Sequence, residues 1–274
     1  MTIAVTVRTG SAIVFAADSK VTTVGIIGRD EDGKPRFVDQ TYDNAIKIVS
    51  DHSQTAMAMI AGHANIGQEA AMDFFMSRDL RDLGTHGDQD ERLSALIDSM
   101  VDQKKKFWES VQIPEENWRG PVIMLAAPSP TSNLPRVWRI DLDGPGSDYD
   151  EVVKEPSVYL EGSYRETFGL LYGYDWDILG NLMAQLGVEV DKWQEAVRNL
   201  QTLRPIDKLN LWAMPLQDAI ELSFFLATVQ VQMDRFLPGT PVCGGPIDVM
   251  VLQTVPTRAI LSFPGKRVHH PLSQ

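Results

Sequence analysis

The residue of this sequence that is best placed to do chemistry by itself is Thr2, which directly follows the initiator methionine. Removal of Met1 is expected because a small residue follows it, and Thr2 would then carry a hydroxyl and a free α-amine. With an ordinary pKa near ~8, that amine can accept the hydroxyl proton as a general base. We therefore predict that Thr2 supplies both the nucleophile and the base of a reaction. The plainer interpretation is that Thr2 only belongs to a frayed chain terminus.

The elements that must position Thr2 follow from hydrophobic periodicity. Alternation over 3–8 predicts one strand, and the apolar run 12–17 predicts a second that is buried on both faces and ends in charge at Asp18 and Lys20. Further strands are predicted at 47–49, 55–61, 121–127, 136–142, 152–160, 247–255 and 258–262, and helices from about 66, about 90 and about 215. Strands this apolar need cover on both faces, so the prediction is an α+β fold with two sheets and helices outside them.

Turn residues and breaks organise the rest of the chain within a single domain, 1–274. The polar segment 24–42 predicts a hairpin or a long surface loop, and 143–150 is predicted to be a loop. Residues 174–217 are interpreted as a helical insertion with two short helices, because the strong helix after them still needs the sheet before them. The polar residues 264–274 are expected to form a loose C-terminal tail.

Composition excludes several classes of function. The net charge of −12 and the isoelectric point near 4.8 disfavour nucleic acid and anionic membranes as partners, because both select for basic patches. Cys243 is the single cysteine, so no disulfide forms within the chain and a reducing compartment is expected. The N-terminus lacks the pattern of a signal peptide, and no apolar run approaches the ~20 residues of a spanning helix. A cytoplasmic location is therefore predicted.

Four short motifs occur together in an order that is typical of one family. They are Thr2, the segment AADSK that ends at Lys20, the lysine of NAIKIV at Lys47, and the Ala61-Gly62 pair of MIAGHANIG. The set resembles a proteasome β subunit of the N-terminal nucleophile (Ntn) hydrolase superfamily, of the bacterial Anbu-like or betaproteobacterial homologue type. The resemblance covers 2–67 well, resumes at Glu161-Gly162-Ser163 and at 244–249, and elsewhere extends only to the order of elements.

The resemblance implies a four-layer αββα fold and a threonine-type peptidase. Thr2 Oγ1 would attack a peptide carbonyl while its α-amine relays the proton. Lys47 would favour the developing alkoxide, and Asp18 would hold that lysine charged and oriented. Gly62, predicted at a strand-to-helix junction, would offer its backbone N–H to the oxyanion, and Ser163 would assist the terminal amine.

The resemblance also implies where substrate binds and in what assembly. The pocket for the side chain that precedes the cleaved bond would be apolar, lined by Val21, Val49, Ile60 and Ala64, and Thr22 would pair with the substrate backbone. The expected substrate is a peptide or an unfolded protein, and the expected assembly is a homo-oligomeric ring or helical stack. No metal and no cofactor are predicted, because no motif has metal-ligand spacing. The sequence does not indicate an ATPase partner.

Departures from the family pattern keep other functions open. Thr240 and Cys243 stand where the family has an aspartate and a serine. Thr240 cannot carry a negative charge, and Asp234, upstream on the last predicted helix, is a candidate substitute for the missing carboxylate. A hydrolase of small amides and a catalytically silent assembly protein are therefore alternatives to the peptidase.

Plainer structural roles also stay open for the candidate residues. Asp18 and Lys47 would then form an ordinary buried ion pair, Gly62 would begin a helix, and Ser163 would be a helix N-cap. His63 and Cys243 are interpreted as structural residues, and the lysine run 104–106 as the wet face of a helix.

Overall fold

Two antiparallel sheets carry most of the strands in a computed structural model of the chain. The structure describes residues 2–29, 35–80, 83, 89–112, 114–129, 135–189, 191–192, 195, 205–253 and 259–265. The strands are β1 (Ile3–Arg8), β2 (Ala12–Asp18), β3 (Val21–Arg29), β4 (Pro35–Tyr42), β5 (Ile48–Ser50), β6 (Met57–Gly62), β7 (Asn65–Ile66), β8 (Glu69–Ala70), β9 (Pro121–Ala127), β10 (Arg136–Asp141), β11 (Asp148–Glu151), β12 (Val158–Gly162), β13 (Ile247–Gln253) and β14 (Ala259–Phe263). The helices are α1 (Ala71–Met76), α2 (Gln89–Ser110), α3 (Arg165–Tyr172), α4 (Trp176–Gln185) and α5 (Leu216–Asp234), with short 3-10 helices at Glu115–Asn117, Pro205–Lys208 and Leu211–Ala213.

The first sheet contains the N-terminal strands. Its five strands lie in the order β12-β1-β2-β13-β14, and all neighbours are antiparallel. Side chains alternate between its faces: Ile3 and Val5 pack with residues of α3 and α5, whereas Ala4 faces the other sheet. All seven residues of β2 are buried. The prediction of a strand buried on both faces at 12–17 is therefore confirmed.

The second sheet lies against the first and has its own helices. Its five strands lie in the order β11-β10-β9-β6-β5. Met57 and Met59 on one face pack with Phe15 of the first sheet, and the other face packs with α1 and α2 through residues such as Phe74 and Ile97. The prediction of a mixed α+β fold with two sheets is confirmed.

The helix predicted from about residue 66 begins later. Residues 65–70 form the small hairpin β7–β8, in which Asn65 pairs with Ala70, and α1 begins at Ala71. Gly67 turns this hairpin with φ +65°, and a Cβ there would lie 2.7 Å from the carbonyl oxygen of Gln103 on α2. The chain therefore makes a tight turn against α2 at the place where helical spacing predicted the first turn of a helix.

The loop predicted at 143–150 is partly a strand. β11 pairs with β10 at the edge of the second sheet, with Arg139 opposite Asp150. Asp148, Tyr149 and Asp150 are exposed, so this edge strand carries no alternating apolar pattern that could have predicted it.

Lys104 on α2 contradicts the expectation that the run 104–106 lies in water. Its side chain is fully buried, and its Nζ donates to the carbonyl oxygens of Leu142, Gly144 and Gly146 at 2.7, 2.8 and 2.7 Å. Burial lowers the pKa of this ammonium, while the carboxylates near it oppose that shift. Lys104 therefore connects α2 to the turn between β10 and β11. Within the run 104–106, only Lys105 and Lys106 are exposed.

The remaining predicted segments are accounted for in part. The segment 24–42 contains the hairpin β3–β4, a separate two-stranded sheet, as one of the two predicted alternatives. The insertion 174–217 contains α4, but most of its second predicted helix and the tail from 266 lie outside the described residues. Among the residues that the structure describes, no helix combines the length and apolar character needed to cross a membrane.

Candidate active site

Asp18, at the end of β2, is the centre of a buried hydrogen-bond cluster. Its Oδ1 accepts from Lys47 Nζ at 2.7 Å and from the backbone N–H of Ile3 at 3.1 Å. Its Oδ2 accepts from the backbone N–H of Gly244 at 2.9 Å and of Lys20 at 3.3 Å. The residue is 1% exposed, so these donors replace the water that the carboxylate has lost. The charge that ends this apolar strand is therefore fully partnered.

The Asp18–Lys47 pair joins the two sheets. Asp18 belongs to the first sheet, and Lys47 directly precedes β5 at the edge of the second sheet. The Lys47 side chain is 9% exposed, and the Lys47 carbonyl accepts from Ile60 N–H at 2.9 Å, which fixes its main chain to β6. Forming a buried ion pair costs the desolvation of both ions. Removing one partner strongly destabilises the fold, because the other charge is left buried without its partner.

Thr2 directly precedes the first residue of β1 and is 3% exposed. The register that pairs Ile3 with Gly162 continues to the opposing pair Thr2 and Ser163, where Ser163 N–H donates to the Thr2 carbonyl at 2.7 Å. Gly162 has φ +81°, and a Cβ there would lie 2.0 Å from the Thr2 carbonyl oxygen. The Thr2 main chain is thus held by β12 on one side and by Asp18, through Ile3, on the other. Met1 lies outside the described residues, so the state of the Thr2 amine stays a prediction.

A cleft of about 470 Å³, open to solvent, adjoins Thr2. Its lining residues are Thr2, Lys20, Val21, Ala45, Ile46, Lys47, Ile60, Gly62, Ala64 and Met72. Six residues predicted from the sequence are in this set: Thr2, Lys47, Gly62, Val21, Ile60 and Ala64. Apolar side chains form most of the wall, and Lys47, whose ammonium is paired with the buried carboxylate of Asp18, lines the same cleft as Thr2.

Three predicted residues do not line this cleft. Val49 is 5% exposed and packs into the core between the second sheet and its helices. Asp18 lies behind Lys47, which it contacts, and Ser163 lines a different cavity. The Thr22 side chain lies outside what the structure describes, so its predicted pairing with the substrate backbone stays a prediction.

Gly62 ends β6 with φ +75° and is exposed toward open space, with no atom within 4 Å of the position that a Cβ would take. The sequence placed this glycine at a strand-to-helix junction, which is wrong. Eight residues separate Gly62 from Ala71, the first residue of α1, and the hairpin β7–β8 lies between them. No helix begins directly after Gly62, so the helix dipole that was expected to assist there does not follow from the sequence, and the backbone N–H of Gly62 is the donor that this residue offers to an oxyanion.

Cys243 and Asp234 are both buried next to this cluster, and the role of Asp234 as a substitute carboxylate stays a prediction. Cys243 is 1% exposed, and burial, followed by the charges of Asp18 and Asp234, raises the pKa of its thiol to about 12. Asp234, at the last position of α5, accepts from the backbone N–H groups of Val242 and Cys243. It therefore shapes the turn that presents Gly244 to Asp18. Thr240 is exposed.

An interaction with the Ser163 side chain opposes the rise in the pKa of the Cys243 thiol, which places Ser163 beside Cys243. Lys47 and Asp18 both act electrostatically on the Cys243 thiol, which shows that Cys243 lies beside the ion pair. The sequence signal for this neighbourhood was the short Gly162-Ser163 motif. Ala45, Ile46 and Met72 of the cleft carry no comparable signal, since each looks like an isolated apolar residue in a loop or helix.

No group of three or more His, Cys, Asp or Glu side chains that could hold a metal ion occurs among the described residues. The cluster contains carboxylate, ammonium, thiol, hydroxyl and backbone amides. This set is suited to moving a proton and stabilising an oxyanion.

Comparison with solved structures finds Anbu from Hyphomicrobium sp. strain MC1, at 14% sequence identity over 96% of this chain and 87% of the Anbu chain, with a TM-score of 0.48. A Gly-1 mutant of the same Anbu matches at 13% identity and the same coverage, with a TM-score of 0.46. No protein-family model matches the chain, and no curated protein matches it in sequence. The similarity to Anbu is the resemblance that the sequence motifs indicated. Neither match transfers the role of a residue to this chain.

Proposed function

We propose that this chain is a threonine-type peptidase of the proteasome-like class, with Thr2 as its nucleophile after Met1 is removed. The observation that supports this most directly is the buried Asp18–Lys47 pair, because Lys47 lines the cleft that Thr2 and Gly62 also line. A structural ion pair alone would not need an opening to solvent. A buried ammonium that shares an accessible cleft with a hydroxyl nucleophile fits stabilisation of a developing negative charge.

The reaction that we propose begins when Thr2 Oγ1 attacks the peptide carbonyl and its proton passes to the Thr2 α-amine. The backbone N–H of Gly62 and the Lys47 ammonium stabilise the negative charge of the tetrahedral intermediate. The carbon–nitrogen bond then breaks, the α-ammonium returns the proton to the leaving amine, and an ester links Thr2 to the acyl group. Attack of water on this ester releases the acid and restores the hydroxyl.

The proposed specificity of the cleft is for a neutral, apolar side chain before the cleaved bond. Val21, Ile60 and Ala64 were expected in this pocket, and Met72 adds further apolar surface. Peptides with Leu or Met at that position should therefore be cleaved faster than matched peptides with Asp or Arg. Equal or faster cleavage of the charged peptides would contradict this specificity.

We also propose a four-layer αββα arrangement. Three separate apolar clusters support it, one between the sheets, one between the first sheet and α3 and α5, and one between the second sheet and α1 and α2. The proposed assembly is a homo-oligomer, which would enclose an otherwise exposed peptidase site. A peptide or an unfolded protein is the proposed substrate, and a cytoplasmic location stays a prediction.

Intact mass spectrometry with a β-lactone probe tests the proposed function. The expected result is a chain that lacks Met1 and gains one probe molecule on Thr2, with no addition to Thr2→Ala. Retention of Met1 together with no adduct would contradict an enzymatic function and favour a silent assembly protein. Labelling of Thr2 combined with turnover of short amides but not of longer peptides would instead favour the hydrolase of small amides.

A further inference from the structure

A second cavity, of about 960 Å³ and open to solvent, is lined in part by residues that contact the Thr2 main chain. Its lining residues are Gly162, Ser163, Tyr164, Arg165, Phe168, Asp175 and Asp177. Gly162 and Ser163 are also the residues that contact the Thr2 carbonyl. Thr2 therefore lines the cleft that contains Gly62 and is joined to the second cavity through Gly162 and Ser163.

The chemistry decides which part of a substrate enters which cavity. The oxyanion must face Gly62, so the acyl part of the peptide belongs in the first cleft with its apolar wall. The leaving nitrogen must lie near the group that protonates it, the Thr2 amine. Ser163, whose N–H donates to the Thr2 carbonyl, lines the second cavity together with Tyr164, so we assign the leaving chain to this cavity.

The wall of the second cavity is aromatic and acidic. Tyr164 and Phe168 lie with ring centroids 6.0 Å apart, and Phe168 stacks on Tyr172 at 4.2 Å. One positive charge, on Arg165, faces the carboxylates of Asp175 and Asp177. The net charge of this lining is negative by one.

The two carboxylates differ in how they are already used. Asp175 pairs with Arg165 and caps α4, accepting from the N–H groups of Asp177 and Ile178 at 2.8 and 3.0 Å. Asp177 is exposed in the first turn of α4 and acts on Arg165 only as the weaker of its two acidic neighbours in this cavity. A cationic side chain can thus approach Asp177 while its methylene groups lie on the aromatic rings.

We propose, on the basis of the proposed peptidase function, that this second cavity binds the residue after the cleaved bond and selects lysine or arginine there. Tyr164, Phe168 and Asp177 are the specificity-determining residues. α4, which belongs to the segment interpreted as an insertion, supplies the acidic wall. The enzyme therefore selects an apolar residue before the bond and a basic residue after it.

Internally quenched peptides that differ only in the residue after the bond test this inference. We expect kcat/KM for Lys at that position to exceed that for Met by about threefold and that for Glu by about tenfold at low salt, as one exposed cation site allows. Asp177→Asn should lower the Lys-to-Met ratio about twofold, and Asp177→Lys should reverse the Lys-to-Glu preference. High salt should reduce the preference, because the site is exposed.

The matched control is Asp218→Asn, the same change at an exposed position in the first turn of α5. It should leave all ratios unchanged. Coumarin amides, which carry no amino acid after the cleaved bond, should be hydrolysed equally by the wild type and Asp218→Asn, and thermal unfolding should match in both.

The outcomes separate this inference from the proposed function. Hydrolysis of coumarin amides with equal rates for Lys, Met and Glu peptides would overturn the second cavity as a specificity site and leave the peptidase intact. A Lys preference that Asp177→Lys does not reverse would also overturn it. Absence of both hydrolysis and β-lactone labelling at Thr2 would overturn the proposed function, and this inference with it.

Discussion

At the scale of single residues, the charges at strand ends were the most informative feature of the sequence. Asp18 follows six apolar residues, and a carboxylate in such a position is expected to have a partner. The sequence could not predict that three backbone amides, from Ile3, Lys20 and Gly244, would share the carboxylate with Lys47. Backbone donors have no residue type, so only the fold brings them there.

Lys47→Met tests whether the ion pair serves catalysis as well as packing. We expect kcat/KM to fall by about 10²- to 10³-fold because the oxyanion loses its cation. The free energy of unfolding should fall by about 3 to 5 kcal/mol because Asp18 is left buried without its ammonium. Lys192→Met, which removes an exposed pair with Glu189, should change neither quantity. Loss of stability with full activity would assign Lys47 a structural role only.

Cys243 should be inert in the folded protein. Burial raises the pKa of its thiol to about 12, so almost no thiolate exists at pH 8. We expect iodoacetamide to leave Cys243 unmodified at pH 8 in the native state and to alkylate it fully in urea, as measured by intact mass. Rapid alkylation of the native protein would contradict this burial and would make Cys243 a competing site for electrophilic probes.

Asp51 is a buried carboxylate that belongs to none of the sequence motifs. Burial acts to raise its pKa, but hydrogen bonds from Ser53, Ala56, Leu80 and Thr55 outweigh burial and lower the pKa below its ordinary 3.8. A carboxyl with a lowered folded pKa stabilises the fold above its unfolded pKa, and this contribution is lost as the pH falls through the folded value.

Asp51→Asn should therefore lower the free energy of unfolding by about 2 kcal/mol at pH 6. The difference from the wild type should shrink below pH 3.8, as urea titrations over a pH series would measure. Asp150→Asn, at an exposed position on β11, is the matched control and should show no such pH dependence. A difference that stays constant down to pH 2 would contradict the lowered pKa.

At the scale of elements, apolar runs predicted strands well because they are buried on both faces. β2 and β9 are of this kind, whereas β11 is an exposed edge strand without a pattern. On α5, Met233 is 43% exposed, while the polar residues Gln230 and Asp234 are buried. α5 is apolar on more than one side, so periodicity alone cannot identify the face that packs.

Gly162→Ala tests how closely β12 must approach Thr2. A Cβ would lie 2.0 Å from the Thr2 carbonyl oxygen, and the left-handed φ adds backbone strain. We expect loss of β-lactone labelling and a fall of several kcal/mol in the free energy of unfolding, on the order of severe core substitutions.

Gly144→Ala is the matched control, since Gly144 has φ +78° and no atom within 4 Å of the added Cβ. It carries the strain without the clash, so it should cost about 1 kcal/mol and keep full labelling. Equal effects of the two substitutions would show that the contact with Thr2 does not limit the site.

At the scale of the whole molecule, the candidate site exists only because the sheets meet at one end. The first sheet contributes Thr2 and Asp18, and the second contributes Gly62 and the lysine that precedes β5. Periodicity predicts each strand but gives no information on which strand ends adjoin. The motif resemblance supplied that information for this end, and it gave none for the second cavity, whose wall includes the separate helix α4.

The proposed assembly is testable through the outward side of α5 and the residues after it. Phe225 is 52% exposed, Phe236 79% and Leu237 43%. Large apolar groups that are exposed to water to this extent usually mark a contact surface. The double substitution Phe225→Ser with Phe236→Ser should therefore reduce the particle mass measured by mass photometry. Tyr149→Ser, which removes an exposed aromatic group from β11, should leave the particle mass unchanged.

β-lactone labelling separates assembly from chemistry in this experiment. The cleft, the ion pair and the second cavity are all built from residues of one chain. The disassembled double variant should therefore still be labelled at Thr2. Its cleavage of a folded protein should rise relative to that of a short peptide, because an enclosed site excludes folded substrates and an open one does not. A wild-type chain that is monomeric at micromolar concentration would contradict the proposed assembly and leave the Thr2 chemistry to be judged by labelling alone.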